Sequence, residues 1–495
     1  MLRYMNMEHK LINAVSYLNG KFSESNTNIK TNYSPEDNLP ICNYSEVDSK
    51  TINDAIEASH YAQLNWKQLS ATDRISYVKA FNKLLDENQD LIATNMAACI
   101  AKTFNDSKTE VKRTVEMINE LIKQYETKFC IPHNIEINNK DNELVKKGIW
   151  TYEPLGIIMA IGPFNYPVNL LLSKVIPALL TGNSVIYKSA HQTIQIGYLL
   201  ATLFDQAKFP AGVINFLIAN NEDLDTSVFN NKYIRLVNFT GGTKNGKEIA
   251  NKLPFGIYKV FELGGLDPAL ITSYNNDPAK VAKEIIKGSF SYNGQRCTAI
   301  KRIVLLKSNE AFNQAFIAEL VRLAQKLTLG KAMDNPDLTC LISSSAVNKV
   351  KTLYDDAIAK GANALLPFVS EGNLVHPIIL DHVTNTMNIY RTEAFGPIVP
   401  IMYANDIDEM IQIANDTTYG LQASVFTNNQ EEWEYISKQI DSGSVNWNRS
   451  SSRGPDIFPF LGVKDSGHNV QGIYHSILTT VRLKGYIENF DPKQK

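Results

Sequence analysis

Between Gly156 and Leu263, short β-rich runs alternate with helical segments, and this alternation restricts the chain to few folds. Ile157–Ile161 reads as a strand and Val168–Leu180 as a helix. Ser184–Tyr187 is a strand, Thr193–Ala207 a helix, Val213–Leu217 and Tyr233–Phe239 strands, Thr243–Leu253 a helix and Tyr258–Leu263 a closing strand. Strands separated by crossover helices demand a parallel sheet covered on both faces, a doubly wound α/β domain of nucleotide-binding type. Ligands of such sheets bind beyond the carboxyl ends of the strands.

A second α/β series follows from Leu266. Helices are expected at Val281–Phe290, Glu310–Leu327, Val347–Lys360 and Met410–Asp416, and strands at Arg302–Leu306 and Ala423–Phe426. Upstream, Thr51–Leu121 is helical in pattern, with apolar residues three and four apart in Ala55–Leu64, Ile75–Leu85 and Leu91–Ala98. Arg113 falls in this helical region. Residues 1 to 50 read as irregular apart from strand-like Ala14–Leu18. The polar, Asn-rich stretch 132–147 reads as a hairpin arm, and Thr479–Ile487 alternates like an edge strand.

At 495 residues the chain suits roughly two or three domains. A net charge of -2 gives no basic surface for nucleic acid or acidic membranes. The five cysteines are scattered, without C-x-x-C spacing, which speaks against a disulfide framework or a zinc site and for a reducing compartment. Met1–Glu8 has no apolar stretch long enough for a signal peptide, and Gly156–Leu180 is interrupted by Pro163, Asn165, Pro167, Lys174 and Pro177, so it does not read as a membrane span. A soluble cytoplasmic protein without a metal is expected.

Chemistry is concentrated at turns. Ser291-Tyr292-Asn293-Gly294-Gln295-Arg296-Cys297-Thr298 sets one cysteine between a helix and a strand, beside an arginine that can lower its pKa from about 8.5. In Gly162-Pro163-Phe164-Asn165-Tyr166-Pro167, the prolines stiffen a strand's carboxyl end and present Asn165, a donor for a developing oxyanion. Lys188 to Thr193 can meet ribose hydroxyls or a phosphate. Phe239-Thr240-Gly241-Gly242-Thr243-Lys244-Asn245-Gly246 enters a helix, whose first N–H groups can face an anion. Glu262 precedes Leu263-Gly264-Gly265, and Glu393 precedes Ala394-Phe395-Gly396; each is a candidate acid or base. Read singly, each motif has a plain structural alternative: a buried cysteine, a turn asparagine, a solvated lysine or acid.

Together and in this order they resemble the aldehyde dehydrogenase superfamily, from about residue 15 to the end. The resemblance implies two doubly wound parallel-sheet domains plus a small β oligomerisation arm. The cofactor-binding domain would comprise 1–131 and 151–265, the catalytic domain 266–477, and the arm 132–150 and 478–495. It implies that Cys297 attacks an aldehyde to give a thiohemiacetal, with the oxyanion held by Asn165 and the Cys297 backbone N–H. Hydride loss then gives a thioester, and Glu262 activates water. Gly162, Lys188, His191, Gly241, Gly242, Gly246, Leu263 and Glu393 would hold the dinucleotide.

Asn165-Tyr166-Pro167-Val168-Asn169, Gly294-Gln295-Arg296-Cys297-Thr298-Ala299 and Arg453-Gly454-Pro455-Asp456 look like the non-phosphorylating glyceraldehyde-3-phosphate dehydrogenases. That likeness carries a substrate site to Arg113, Asn165, Tyr166, Arg296, Thr298 and Arg453. Three arginines suit a phosphorylated aldehyde, because guanidinium forks bind phosphate bidentately. Family members using NAD often have glutamate three residues after the lysine. Here His191 stands there, so NADP is expected, with Lys188 and a protonated His191 attracting its extra phosphate, and NAD as the lesser option. Two alternatives are a carboxylate-ended semialdehyde as substrate and a non-catalytic structural relative. A homo-oligomer, dimer or tetramer, is implied. Cys99 and Ala101, which precede Lys102, depart from the family's usual glutamate and glycine.

Overall fold

The computed structural model describes residues 11–24, 28–131, 133–272 and 277–490. The Met1–Glu8 segment lies outside them, as do Pro132 and residues 491–495 of the expected arm.

The strand Ile157–Ile161 forms as expected, five buried residues bounded by glycines. It pairs in parallel with Ser184–Lys188 on one side and Ile234–Thr240 on the other. The sheet grows outward both ways, through Ile214–Phe216 and through Tyr258–Glu262. Short antiparallel strands at each edge bring it to eight. The order therefore reverses at Ile157–Ile161, and the crevice for a ligand opens at its carboxyl end, where Gly162–Asn165 and Thr240–Gly242 meet. Alternation fixes the faces. Ile158 and Ala160 join one apolar cluster, and Ile157, Met159 and Ile161 the other.

All residues of the helix Asn169–Leu180 are buried, Lys174 included. Each buried Leu or Ile there contributes about 1.5–3 kcal/mol. Against it packs the helix Phe104–Lys128, which carries Arg113 and is capped by the Thr103 hydroxyl. The helical region comprises four helices: Ser49–Trp66, Ala71–Glu87, Gln89–Ile100 and Phe104–Lys128. The break before the last falls at Ala101, whose φ of 48° is left-handed, at the position where the family's usual residue is glycine.

The second sheet has seven strands, with Asp267–Ile271 and Ile300–Leu306 at its centre and Ile378–Asp381, Ile398–Ala404, Gln422–Phe426 and Ser444–Trp447 around them. Only Asn363–Leu366 at one edge runs antiparallel. Several of these strands have no counterpart in the sequence reading. The described part of the first 50 residues is also more regular than expected, with Ile12–Ala14, Pro40–Tyr44 and Lys30–Tyr33 forming a small sheet.

The arm is an antiparallel sheet in which Leu144–Pro154 lies between His133–Asn138 and the C-terminal strand Val481–Asn489. Just before that strand, Gly467–His468 pairs with Tyr258–Glu262 and the helix Ile473–Leu478 joins the first core, so the chain returns to the first sheet ahead of residue 477. Among the described residues, no helix is long and apolar enough to cross a membrane.

Candidate active site

The helix Pro278–Phe290 ends in a turn where Tyr292, Asn293 and Gly294 all take left-handed φ, of 50°, 56° and 68°. Such conformations cost about 1–2 kcal/mol each for non-glycine residues, and the surroundings hold them. The Tyr292 hydroxyl donates to the Ile100 carbonyl. The Asn293 amide donates to Thr339 O and accepts from Thr339 N. This turn delivers Cys297 to the mouth of the crevice, half-buried, with Sγ 4.0 Å from Glu262 Oε1.

Asn165 is buried beside it and donates one amide N–H to Gln295 O at 2.8 Å, which locks the amide and leaves it a second donor. Glu262 is 2% exposed at the end of its strand. Its Oε2 accepts from Arg453 at 2.6 Å and from the Thr240 hydroxyl at 3.2 Å. Burial raises the Glu262 carboxyl, but Arg453 and then Lys174 outweigh it and hold the group below the ordinary carboxylate range. Burial, then Glu262, push the Cys297 thiol up to about 12, so the resting nucleophile is a thiol.

Two cavities meet at this cysteine. One, of about 790 Å³, is lined by Gly162, Asn165, Lys188, His191, Gly241, Gly242, Leu263, Cys297 and Glu393. The other, of about 250 Å³, is lined by Arg113, Tyr166, Glu262, Arg296, Cys297, Thr298 and Arg453. Only Leu170 and Cys297 belong to both. Most of the candidate nucleotide residues line the larger cavity and all the candidate substrate residues except Asn165 line the smaller, with Cys297 on the wall of both.

Several expectations need correction. Arg296 does not serve as the thiol's cation: its Nε and Nη2 donate to Ser291 O, Lys287 O and Gly288 O, closing the end of the preceding helix. Gly246 is absent from the cavity wall; a Cβ there would meet Leu263 Cδ2 at 2.3 Å, so it serves helix–strand packing. The Gly241 N–H is bonded to Glu262 O and is not offered to an anion. His191 is held by the Tyr44 hydroxyl at Nε2, and burial, then Lys188, lower its pKa, so it stands as neutral imidazole. Glu393 is no solvated acid: it accepts from Gly265 N and pairs with Lys301 at 3.2 Å.

Sequence reasoning missed Lys301, Lys174 and Lys349. Lys301 donates to the carbonyls of Arg296 and Cys297 from beneath the turn. Lys174 is fully buried with no hydrogen-bond partner among the described residues, and burial lowers it to about 7 over the opposing pull of Glu262. A lysine inside an otherwise apolar helix was the signal available for it. Lys349, on the wall of the larger cavity, looks like any helix-surface lysine in sequence.

A sequence model of the Aldehyde dehydrogenase family matches residues 22–485. The chain belongs to the aldehyde dehydrogenase family. This aldehyde dehydrogenase is 36% identical over 471 residues to an NADP-dependent glyceraldehyde-3-phosphate dehydrogenase of Streptococcus equinus, covering 94% of the chain and 97% of the relative. It is 33% identical over 464 residues to the enzyme of that name from Pisum sativum, covering 93% and 90%. Among solved structures, an NADP-dependent glyceraldehyde-3-phosphate dehydrogenase from Bacillus halodurans, complexed with NADP, superposes with a TM-score of 0.92 at 35% identity, covering 96% of this chain and 99% of that one. The aldehyde dehydrogenase fold of this chain, two parallel-sheet units and an antiparallel arm, agrees with that match.

Proposed function

We propose that this aldehyde dehydrogenase oxidises glyceraldehyde 3-phosphate to 3-phosphoglycerate with NADP and without inorganic phosphate. The observation that carries this is the shared thiol: Cys297 separates a nucleotide-sized cavity from a small one bearing Arg113, Arg296 and Arg453. The larger cavity fits an NADP: Lys188 lies on its wall, and no carboxylate occupies position 191 to repel a 2′-phosphate. Glu393 and Lys349 fit a ribose.

The residues divide the work as follows. Glu262 Oε1, the carboxylate oxygen nearest Sγ, takes the thiol proton as sulfur attacks the aldehyde carbon. Asn165 and the Cys297 backbone N–H hold the oxyanion. Bound NADP supplies the hydride acceptor. Glu262 releases that proton to solvent and then takes one from the water that hydrolyses the thioester on Cys297. Arg113, Tyr166, Arg296, Thr298 and Arg453 frame the phosphate end.

The domain division read from the sequence is 1–131 with 151–265 for the coenzyme, 266–477 for catalysis, and 132–150 with 478–495 for assembly, with Gly467–His468 and Ile473–Leu478 packed back on the coenzyme unit. Ile135, Ile137, Leu483 and Ile487 lie exposed on the arm, which supports a dimer or tetramer joined there. Five free cysteines support a cytoplasmic location. A carboxylate-ended semialdehyde is the second reading, favoured by the carboxylate of Glu262 already seated on Arg453.

The test is NADP reduction by glyceraldehyde 3-phosphate in phosphate-free buffer, set against a panel of semialdehydes by kcat/KM. Preference for a semialdehyde overturns the substrate. Undiminished activity of Cys297→Ser overturns the mechanism, and absent turnover of every aldehyde by the wild type returns the chain to a non-catalytic role.

A further inference from the structure

Arg453 has two claims on it. It lines the small cavity that would receive the substrate's anionic end, and it is the one ion-pair partner of Glu262 among the described residues. Its Nη1 lies 2.6 Å from Glu262 Oε2 and its Nη2 3.0 Å from Gln471 Oε1. Asp456 Oδ1 lies 4.0 Å from Nε, and the guanidinium sits 4.7 Å over the Phe460 ring. Glu262 is 2% exposed, so this pair works in a site where little water screens it. A carboxylate held by a guanidinium gives up basicity, because the pair stabilises its ionised form.

We propose that Arg453 is an anion-operated latch on Glu262: the anionic end of the substrate competes for the guanidinium, and Glu262 becomes an effective base once that end is seated. This rests on the reading of an anion-ended aldehyde given above. With the latch released, water adds its oxygen to the thioester carbon and gives one proton to Glu262. The tetrahedral intermediate then breaks its C–S bond, leaving the carboxylic acid and the Cys297 thiolate, which recovers the proton from Glu262. No other reactant is needed. The latch places selectivity for an anionic end in kcat as well as in KM, since an aldehyde lacking the anion meets a disarmed base.

The test uses D-glyceraldehyde, the same skeleton without phosphate, at saturating NADP, with sulfate as the probe anion and potassium chloride matching ionic strength. Sulfate is expected to raise kcat for glyceraldehyde about tenfold, a part of the roughly 10²–10⁴-fold that a general base contributes. With glyceraldehyde 3-phosphate it should act oppositely, raising KM without raising kcat. In Arg453→Gln the activation by sulfate should vanish. A glyceraldehyde kcat that sulfate leaves unchanged or lowers overturns the latch, as does activation that survives in Arg453→Gln. The wild-type arm decides even where that variant does not fold. The substrate reading fails separately, by absent turnover of glyceraldehyde 3-phosphate in the same assay, whereas the latch can fail with that turnover intact.

Discussion

Lys301 donates its Nζ–H to the carbonyl of Cys297 at 2.6 Å. The same ammonium bonds Arg296 O and pairs with Glu393 Oε1, so one buried cation ties the nucleophile's turn to the wall of the larger cavity. Close approach is built in here: a Cβ on Gly265 would meet Cys297 O at 2.5 Å.

Lys301→Met should therefore lower kcat more than KM for the aldehyde, by about 10²-fold for a turn displaced by an ångström. It should also destabilise the protein by about 1–3 kcal/mol, because the Arg296 and Cys297 carbonyls lose their buried donor. Steady-state kinetics and denaturant unfolding check the two halves.

Lys102 and Glu110 form a second buried pair at 2.5 Å, and it frames the Asn165 loop. Lys102 donates to Asn165 O, with its ammonium 3.6 Å from the Tyr166 ring centroid. Glu110 Oε1 accepts from Val168 N and Asn169 N. Removing one member, as in Glu110→Ala, should cost about 3–5 kcal/mol. The double variant Lys102→Met with Glu110→Met should lose less than the sum of the two single variants, a coupling that a double-mutant unfolding cycle reads directly.

Lys174 gives a pH signature. Its folded pKa, about 7, lies below the ordinary lysine value of 10.5. Between those values the unfolded chain binds the extra proton, so its contribution to stability rises with pH through this window and falls as pH drops toward 7. The stability difference between wild type and Lys174→Met should accordingly increase with pH from 7 to 10.5, by up to about 1.4 kcal/mol per pH unit. A flat difference in unfolding free energy would contradict a neutral buried lysine.

His191→Glu sets a carboxylate on the wall of the coenzyme cavity. Like charges brought together cost several kcal/mol, so kcat/KM for NADP should drop about 10²-fold while that for NAD changes far less. Because His191 is neutral and held by Tyr44, the wild-type preference should change little between pH 6.5 and 8. Coenzyme kinetics at fixed aldehyde check both statements.

The parts of this architecture legible in sequence are those where burial pattern and chain punctuation agree. Ile157–Ile161 is apolar throughout and bounded by glycines, and its ends were read to the residue. Asp267–Ile271 and Ile398–Ala404 were missed because Pro268 and Pro400 interrupt the strand texture, although both strands lie inside the second sheet. Cys297 and Asn165 stand on turns that follow a helix and a strand, and Glu262 ends a strand before two glycines, so chain punctuation exposes them. Of the lysines that organise their surroundings, Lys174 is marked by its apolar helix, whereas Lys102 and Lys301 have no such marker. Lys102 and Lys301 also reach segments more than 60 residues away in sequence, Asn165 O for the one and Glu393 for the other. Arg296 was misassigned for the complementary reason: its neighbour in sequence is the cysteine, but its guanidinium turns back onto the helix that precedes it.

The meeting of two cavities at a single sulfur has a pharmacological consequence. A compound built from an anion and a thiol-reactive group could occupy the arginine side alone and cap Cys297 without displacing the nucleotide. Such a compound would not be outcompeted by high cellular coenzyme, and its selectivity would rest on the guanidinium groups and not on the nucleotide fold shared by many dehydrogenases.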